Sequence, residues 1–320
     1  MIANEMKINN IYIKINGNNI DKISNIKKYI DNLIDFRSET IDKLNIIFEL
    51  YDVKMKCSHA DDIAIDFMDY FKDKVIYTII QDPIYLSDIL YKYIRKYNVN
   101  YTIAGIYDHK DIINLPDNKK SMIDDIPYKQ ILLDFNNVDT LLNLNDIMAD
   151  IDYNFKNTMI RLYYHYCKNI NINNYGKEIM DKIEKNITTL ANTRFYYIFK
   201  DIVDGFKEVL NNINPEKEIK CNNFDDTLFL DSSGNVLSCI DSNKSVCELG
   251  TINKDSFYDL YNTYSKIRPK SNCEESYCEY SPICRNCEEC NSLYARILYN
   301  KIIKSIVSTH LNYEPLDLEV

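Results

Sequence analysis

The sequence predicts an α/β fold: a partial (β/α) barrel followed by a small cysteine-rich, metal-binding domain. Two observations carry the prediction. From about residue 45 to residue 210, short runs rich in β-branched and aromatic residues alternate with amphipathic helical stretches, the pattern of repeated βα units around a parallel sheet. Eight of the ten cysteines then fall between Cys221 and Cys290, a density of thiols suited to zinc or to iron-sulfur clusters. The expected organisation is a βα lead-in over 1–43, the barrel over 44–210, the cysteine-rich domain over 221–292, and a C-terminal helix and tail over 293–320.

The lead-in reads as a small strand, an Asn-Gly turn at Asn16 and Gly17, and a helix over 20–34. Residues 44–51 read as the first barrel strand, and 61–71 as a helix with apolar residues Ile63, Ile65, Phe67, Met68 and Phe71. A second strand follows at 75–80, closed by Pro83, and Ser87 is placed to cap a helix reaching Lys96. Residues 100–106, 130–135 and 158–166 read as further strands, with helices over 139–150 and from about Gly176. Residues 211–220, carrying Pro215 among charges, read as the linker to the cysteine-rich region.

Composition narrows the partners. A formal net charge of −10 argues against nucleic acid, whose binding surfaces are basic. No run approaches the ~18 consecutive apolar residues of a membrane span, and the first residues lack the apolar core of a secretory signal. The expectation is therefore a cytoplasmic chain without a membrane partner, whose thiols stay reduced and hold metal.

The predicted ligands are Cys221, Cys239, Cys247, Cys273, Cys278, Cys284, Cys287 and Cys290. Asp231-Ser232-Ser233-Gly234-Asn235 is turn chemistry between two β-rich runs, so a hairpin would deliver Cys239 to the metal. Leu249-Gly250-Thr251-Ile252 follows, then a helix over 255–264 and the closing run Cys273-x4-Cys278-x5-Cys284-x2-Cys287-x2-Cys290. Four-thiolate zinc sites and iron-sulfur clusters both fit this donor set.

Together, the Gly234-x4-Cys239 step, the Leu249-Gly250-x-Ile252 step and the terminal cysteines resemble a SPASM domain, the auxiliary-cluster module of radical SAM peptide-modifying enzymes. The terminal run departs from that pattern at Cys273-x4-Cys278 and Cys284-x2-Cys287, no cysteine follows Cys290, and Cys247 is surplus. The resemblance extends over about residues 44–292 and implies a barrel of radical SAM type with 4Fe-4S clusters on the C-terminal thiolates. It also marks what is missing. Where these enzymes carry a strand ending in Gly-Gly-Glu-Pro, the chain has Ile80-Gln81-Asp82-Pro83, and the Cys-x3-Cys-x2-Cys signature that holds the catalytic cluster is absent. Around it, Cys57-x-His59 reads as an incidental pair, and Cys167 as a buried thiol at a strand end.

No other catalytic signature replaces it: six glycines in the whole chain leave no phosphate-binding loop, and no nucleophile elbow or His-Glu-x-x-His helix occurs. The resemblance therefore implies an accessory protein of peptide maturation, acting on a ribosomally made precursor peptide beside a partner maturation enzyme. It would not cleave S-adenosylmethionine (AdoMet) itself. The alternatives are a cluster-dependent peptide-modifying enzyme and a structural zinc-binding interaction module.

Overall fold

The computed structural model of the chain describes residues 8–15, 23–37, 43–50, 58–106, 109–134, 138–155, 158–163, 177–193, 227–231, 234–237, 248–252, 254–256 and 259–260. The chain divides into two compact units. The first comprises Met1–Ala104, Leu115–Ile131 and Asn222–Arg268, and the second Gly105–Asn114, Leu132–Cys221 and Pro269–Val320.

The first unit is organised by strands β1 (Asn10–Lys14), β2 (Asn45–Glu49), β3 (Ile76–Gln81) and β4 (Asn100–Ile106), and by helices α1 (Ile23–Phe36), α2 (Ser58–Phe71) and α3 (Asp88–Tyr97). Strands β1 to β4 pair in sequence and in parallel. Alternation along each strand decides which side chains meet the helices. Ile11 and Ile13 of β1, Ile46 and Phe48 of β2, and Tyr77 and Ile79 of β3 are buried. Opposite them lie the buried faces of the helices: Ile26, Ile30 and Leu33 of α1, Ala64, Phe67 and Met68 of α2, and Leu90 and Ile94 of α3. Phe48 meets Phe67 edge-on with ring centroids 5.3 Å apart.

Local chemistry fixes the ends of α3. Ser87 Oγ accepts from the Leu90 amide at 3.1 Å, as its position in the sequence predicts. Asn98 closes the helix in the left-handed conformation at φ 50°, its amide donating to the Ile94 carbonyl. On the outer surface, Lys27 of α1 pairs with Asp66 of α2 at 2.5 Å, and Asp69 of α2 accepts from Tyr93 and Tyr97 of α3.

One expectation needs correcting. The sequence reading starts the barrel at residues 44–51, yet β1 pairs in parallel with β2 along its whole length. The unit β1-α1-β2 is thus the first βα repeat among the described residues, and β3 is the third parallel strand. The reason is physical: β1 alternates buried Ile11 and Ile13 with half-buried neighbours, but which strand it joins is set by a partner 35 residues away.

On its other side β1 pairs in parallel with β7 (Thr227–Asp231), which continues antiparallel into β8 (Asn235–Leu237) and β9 (Glu248–Thr251). The predicted turn at Gly234 is present, with φ 79°. Asp231 shapes it, its carboxylate accepting from the backbone amide and the side-chain amide of Asn235 at 2.9 Å each. After β9, Ser256 Oγ accepts from the Asp259 amide and the helical residues described are 259 and 260, so Asp255 lies in the preceding turn rather than in the helix.

The sequence reading did not assign two helices that lie between β4 and β5: α4 (His109–Ile113) in the second unit and α5 (Asp117–Asp124) in the first. In the second unit, β5 (Lys129–Asp134), which starts in the first, neighbours β6 (Met159–Tyr163). The helix expected over 139–150 is two helices, α6 (Val138–Leu142) and α7 (Leu144–Asn154). Asn186 of α8 (Lys177–Ala191) explains the break: its amide donates to the carbonyls of Leu141 and Leu142 at 3.1 and 2.9 Å, capping the end of α6.

Candidate functional site at the strand ends

Two sets of polar groups gather near the C-terminal ends of the first unit's parallel strands. One lies on the face of the sheet turned away from the helices. Register places Asp231, Lys14, Glu49, Ile80 and Thr102 in one row across β7, β1, β2, β3 and β4. Within that row Glu49 is the centre: Tyr12 Oη donates to Oε2 at 2.7 Å, and Lys14 Nζ stands 3.8 Å from Oε1. Thr102 Oγ1 accepts from Gln130 at 2.6 Å.

Below this row, the Tyr12 and Phe229 rings lie 5.4 Å apart. Farther toward the strand starts, Asn45 donates to Asn10 at 3.1 Å and accepts from Thr78 at 3.2 Å. The face is therefore polar, half-buried at Asn10, Tyr12, Lys14, Asn45 and Glu49 and buried at Thr78, Thr102 and Phe229, with aromatic rings at one edge. Such a surface offers hydrogen bonds and ring contacts to an extended ligand.

The second set lies on the helix side of the sheet. Gln81, 2% exposed, donates through Nε2 to Asp61 Oδ1 at 3.1 Å. Asp61 also accepts hydrogen bonds from Ser87, yet burial outweighs these and pushes its carboxyl above the usual carboxylate range. Asp82 turns back on its own segment, Oδ1 accepting from the Ile84 amide at 3.0 Å, so that Pro83–Tyr85 forms a capped 3-10 turn.

These residues bear directly on the expected cofactor. With β1 counted, the second strand of the series ends at Phe48-Glu49-Leu50 rather than at Ile80-Gln81-Asp82. Neither place has the glycines that let a ligand approach the backbone. At the first, the Glu49 carbonyl takes the Ile15 amide at 3.2 Å, and the Ile80 carbonyl takes the Leu50 amide at 2.9 Å. The Glu49 carboxylate is already held by Tyr12 and Lys14. The groups at the Glu49 end are satisfied by one another, and they do not fit the methionine portion of AdoMet. The residues that follow β1 in the sequence, Ile15-Asn16-Gly17-Asn18-Asn19-Ile20-Asp21-Lys22, include no cysteine.

All eight predicted metal ligands, Cys221, Cys239, Cys247, Cys273, Cys278, Cys284, Cys287 and Cys290, lie outside the described residues, as do Cys57 and Cys167. Among the described residues no group of three or more His, Cys, Asp or Glu side chains is arranged to hold a metal. The donor chemistry itself, eight thiols, matches iron-sulfur clusters or zinc. Leu237 of β8 pairs with Glu248 of β9. Among the described residues no helix is long and apolar enough to cross a membrane.

The mixed α/β architecture with its parallel sheet is the radical SAM-like fold. Solved structures with this fold include anSMEcpe with bound AdoMet and Cp18Cys peptide, at a TM-score of 0.61 and 12% identity over 95% of this chain and 98% of that one. The same protein with AdoMet and Kp18Cys peptide gives 0.61, and with AdoMet alone 0.60, each at 12% identity. At that identity the likeness establishes the fold. No protein-family model matches the chain, and no curated protein matches it.

The Tyr12, Lys14 and Glu49 grouping escaped the sequence reading. Its one visible trace is the alternation Tyr12-x-Lys14 in a short strand, which names no partner.

Proposed function

We propose that the chain is an accessory protein of peptide maturation, which binds or presents a ribosomally made precursor peptide to a partner maturation enzyme without cleaving AdoMet itself. One observation carries the reading: a radical SAM-like fold spans 95% of the chain, while its strand ends lack the glycines and the residues that follow β1 in the sequence lack the cysteines that AdoMet chemistry requires. The anSMEcpe structures hold a peptide as well as AdoMet, and the peptide is the part of that pair we carry over. Tyr12, Asn10 and Asn45 would meet it on the half-buried part of that face of the sheet.

The C-terminal cysteines, from Cys221 to Cys290, would hold auxiliary-type iron-sulfur clusters of the 4Fe-4S kind. Bound there, such clusters supply one-electron transfer and rigid anchoring of an otherwise loop-rich segment. The chain's own side chains would bind and orient the peptide.

The test uses the full chain, purified anaerobically and supplied with AdoMet, dithionite and a panel of synthetic precursor peptides. The expected result is saturable peptide binding with no 5′-deoxyadenosine. Formation of 5′-deoxyadenosine at more than a stoichiometric trace would overturn the proposal, as would failure to bind any of the peptides in the presence of the partner enzyme.

A further inference from the structure

Beneath the end of β3, on the helix side, two buried polar atoms have no protein partner within hydrogen-bond reach: Gln81 Oε1 and Tyr101 Oη. Gln81 is 2% exposed and Tyr101 is fully buried. Register fixes their relative strand positions. Ile79 pairs with Tyr101 and Gln81 with Ile103, so Gln81 and Tyr101 project from the same face of adjacent strands, one alternate position apart, roughly 8 Å at their bases.

Leaving both groups unsatisfied in the interior would be costly, since each buried orphan forfeits its hydration. Their chemistry is complementary. The phenol is held protonated, because burial and the nearby charges of Asp82 and Asp61 all push its ionisation far upward, so it donates. Gln81 Oε1 can only accept, its amide nitrogen being committed to Asp61.

We propose that Gln81 and Tyr101, together with Asp61, form an interior binding site for a single water molecule. The water accepts from Tyr101 Oη and donates to Gln81 Oε1, and its second hydrogen goes to the Asp61 carboxylate. That gives it about three hydrogen bonds, the usual number for a buried structural water. A metal ion meets these groups less well, because it cannot accept the phenol proton. Asp61 already receives donors from Gln81 and Ser87, which lessens its need for a counter-ion. The bridge would tie α2, β3 and β4 together at the base of the Pro83–Tyr85 turn, independently of what ligand the chain takes.

The Tyr101→Phe variant provides the test, because the two possibilities predict opposite signs. With a bridging water, removing the donor lowers the folding equilibrium constant about three- to tenfold in urea titration. With a dry orphan hydroxyl, the same change leaves folding unaltered or strengthens it, and the proposal falls. A crystal structure near 1.5 Å should place a density peak within hydrogen-bond distance of both atoms. An empty position there, or an anomalous peak after a thallium or rubidium soak, would equally overturn the assignment.

Discussion

Gly250→Ala is expected to destabilise the chain by about 2–4 kcal/mol in urea unfolding, among the largest effects available to a single methyl group here. Gly250 sits in β9 at φ +146°, a conformation that a side chain rarely adopts. An added Cβ would lie 2.5 Å from Asp255 Oδ2 and 2.7 Å from Leu260 Cδ2. Neither neighbour yields easily: Asp255 Oδ2 accepts from the Thr251 amide at 2.8 Å, and Leu260 is 1% exposed. If the cysteine-rich region is anchored on β8 and β9, metal content should fall with stability in this variant. Wild-type stability in Gly250→Ala would contradict the close packing described.

Asp61 should show the second large effect, with opposite results from two substitutions. Asp61→Ala removes the main acceptor of the buried Gln81 amide, leaving it only the long 3.5 Å contact to the Tyr85 carbonyl, and strips the half-buried Ser87 donors of their partner, for an expected loss of about 2 kcal/mol. Asp61→Asn keeps an acceptor for Gln81 and should cost about 1 kcal/mol or less.

The pH profile supplies an independent readout. Burial raises the folded carboxyl above its ordinary value of 3.8, so the folded chain binds this proton more tightly than the unfolded chain. The stability linked to Asp61 is therefore full below that ordinary value and is lost as pH rises through the raised one. Wild type should lose stability with rising pH across this window by an amount that Asp61→Asn lacks. Identical slopes for the two proteins would remove Asp61 from the account.

Much of the first unit is legible in the sequence because its signals are local. Ser87 and Asn98 bracket α3, Pro83 ends β3, and 100–106 carries the β-branched and aromatic residues of β4. The Asp231 to Asn235 turn likewise announces its hairpin through Gly234. What the sequence conceals is non-local. The place of β1 depends on β2 and β7, and the break between α6 and α7 depends on Asn186, more than 40 residues downstream.

The candidate site follows the same division. The cysteines stand out by spacing, and the absent signatures can be read directly from the residues. Glu49 with Tyr12 and Lys14, by contrast, exists only once register has aligned three strand positions, and the pairing of Gln81 with Asp61 requires a helix to pack over a strand 20 residues away. Sequence spacing carries no signal for such meetings.

The proposed function rests on a thiolate cluster module carried by a fold without AdoMet chemistry of its own. Iron, zinc and acid-labile sulfide, measured in anaerobically purified full-length protein, test it most directly. The account predicts iron with matching sulfide and little zinc, and loss of both on replacing Cys284 and Cys287 with serine. Zinc without sulfide would contradict it and make the C-terminal region a structural interaction module instead.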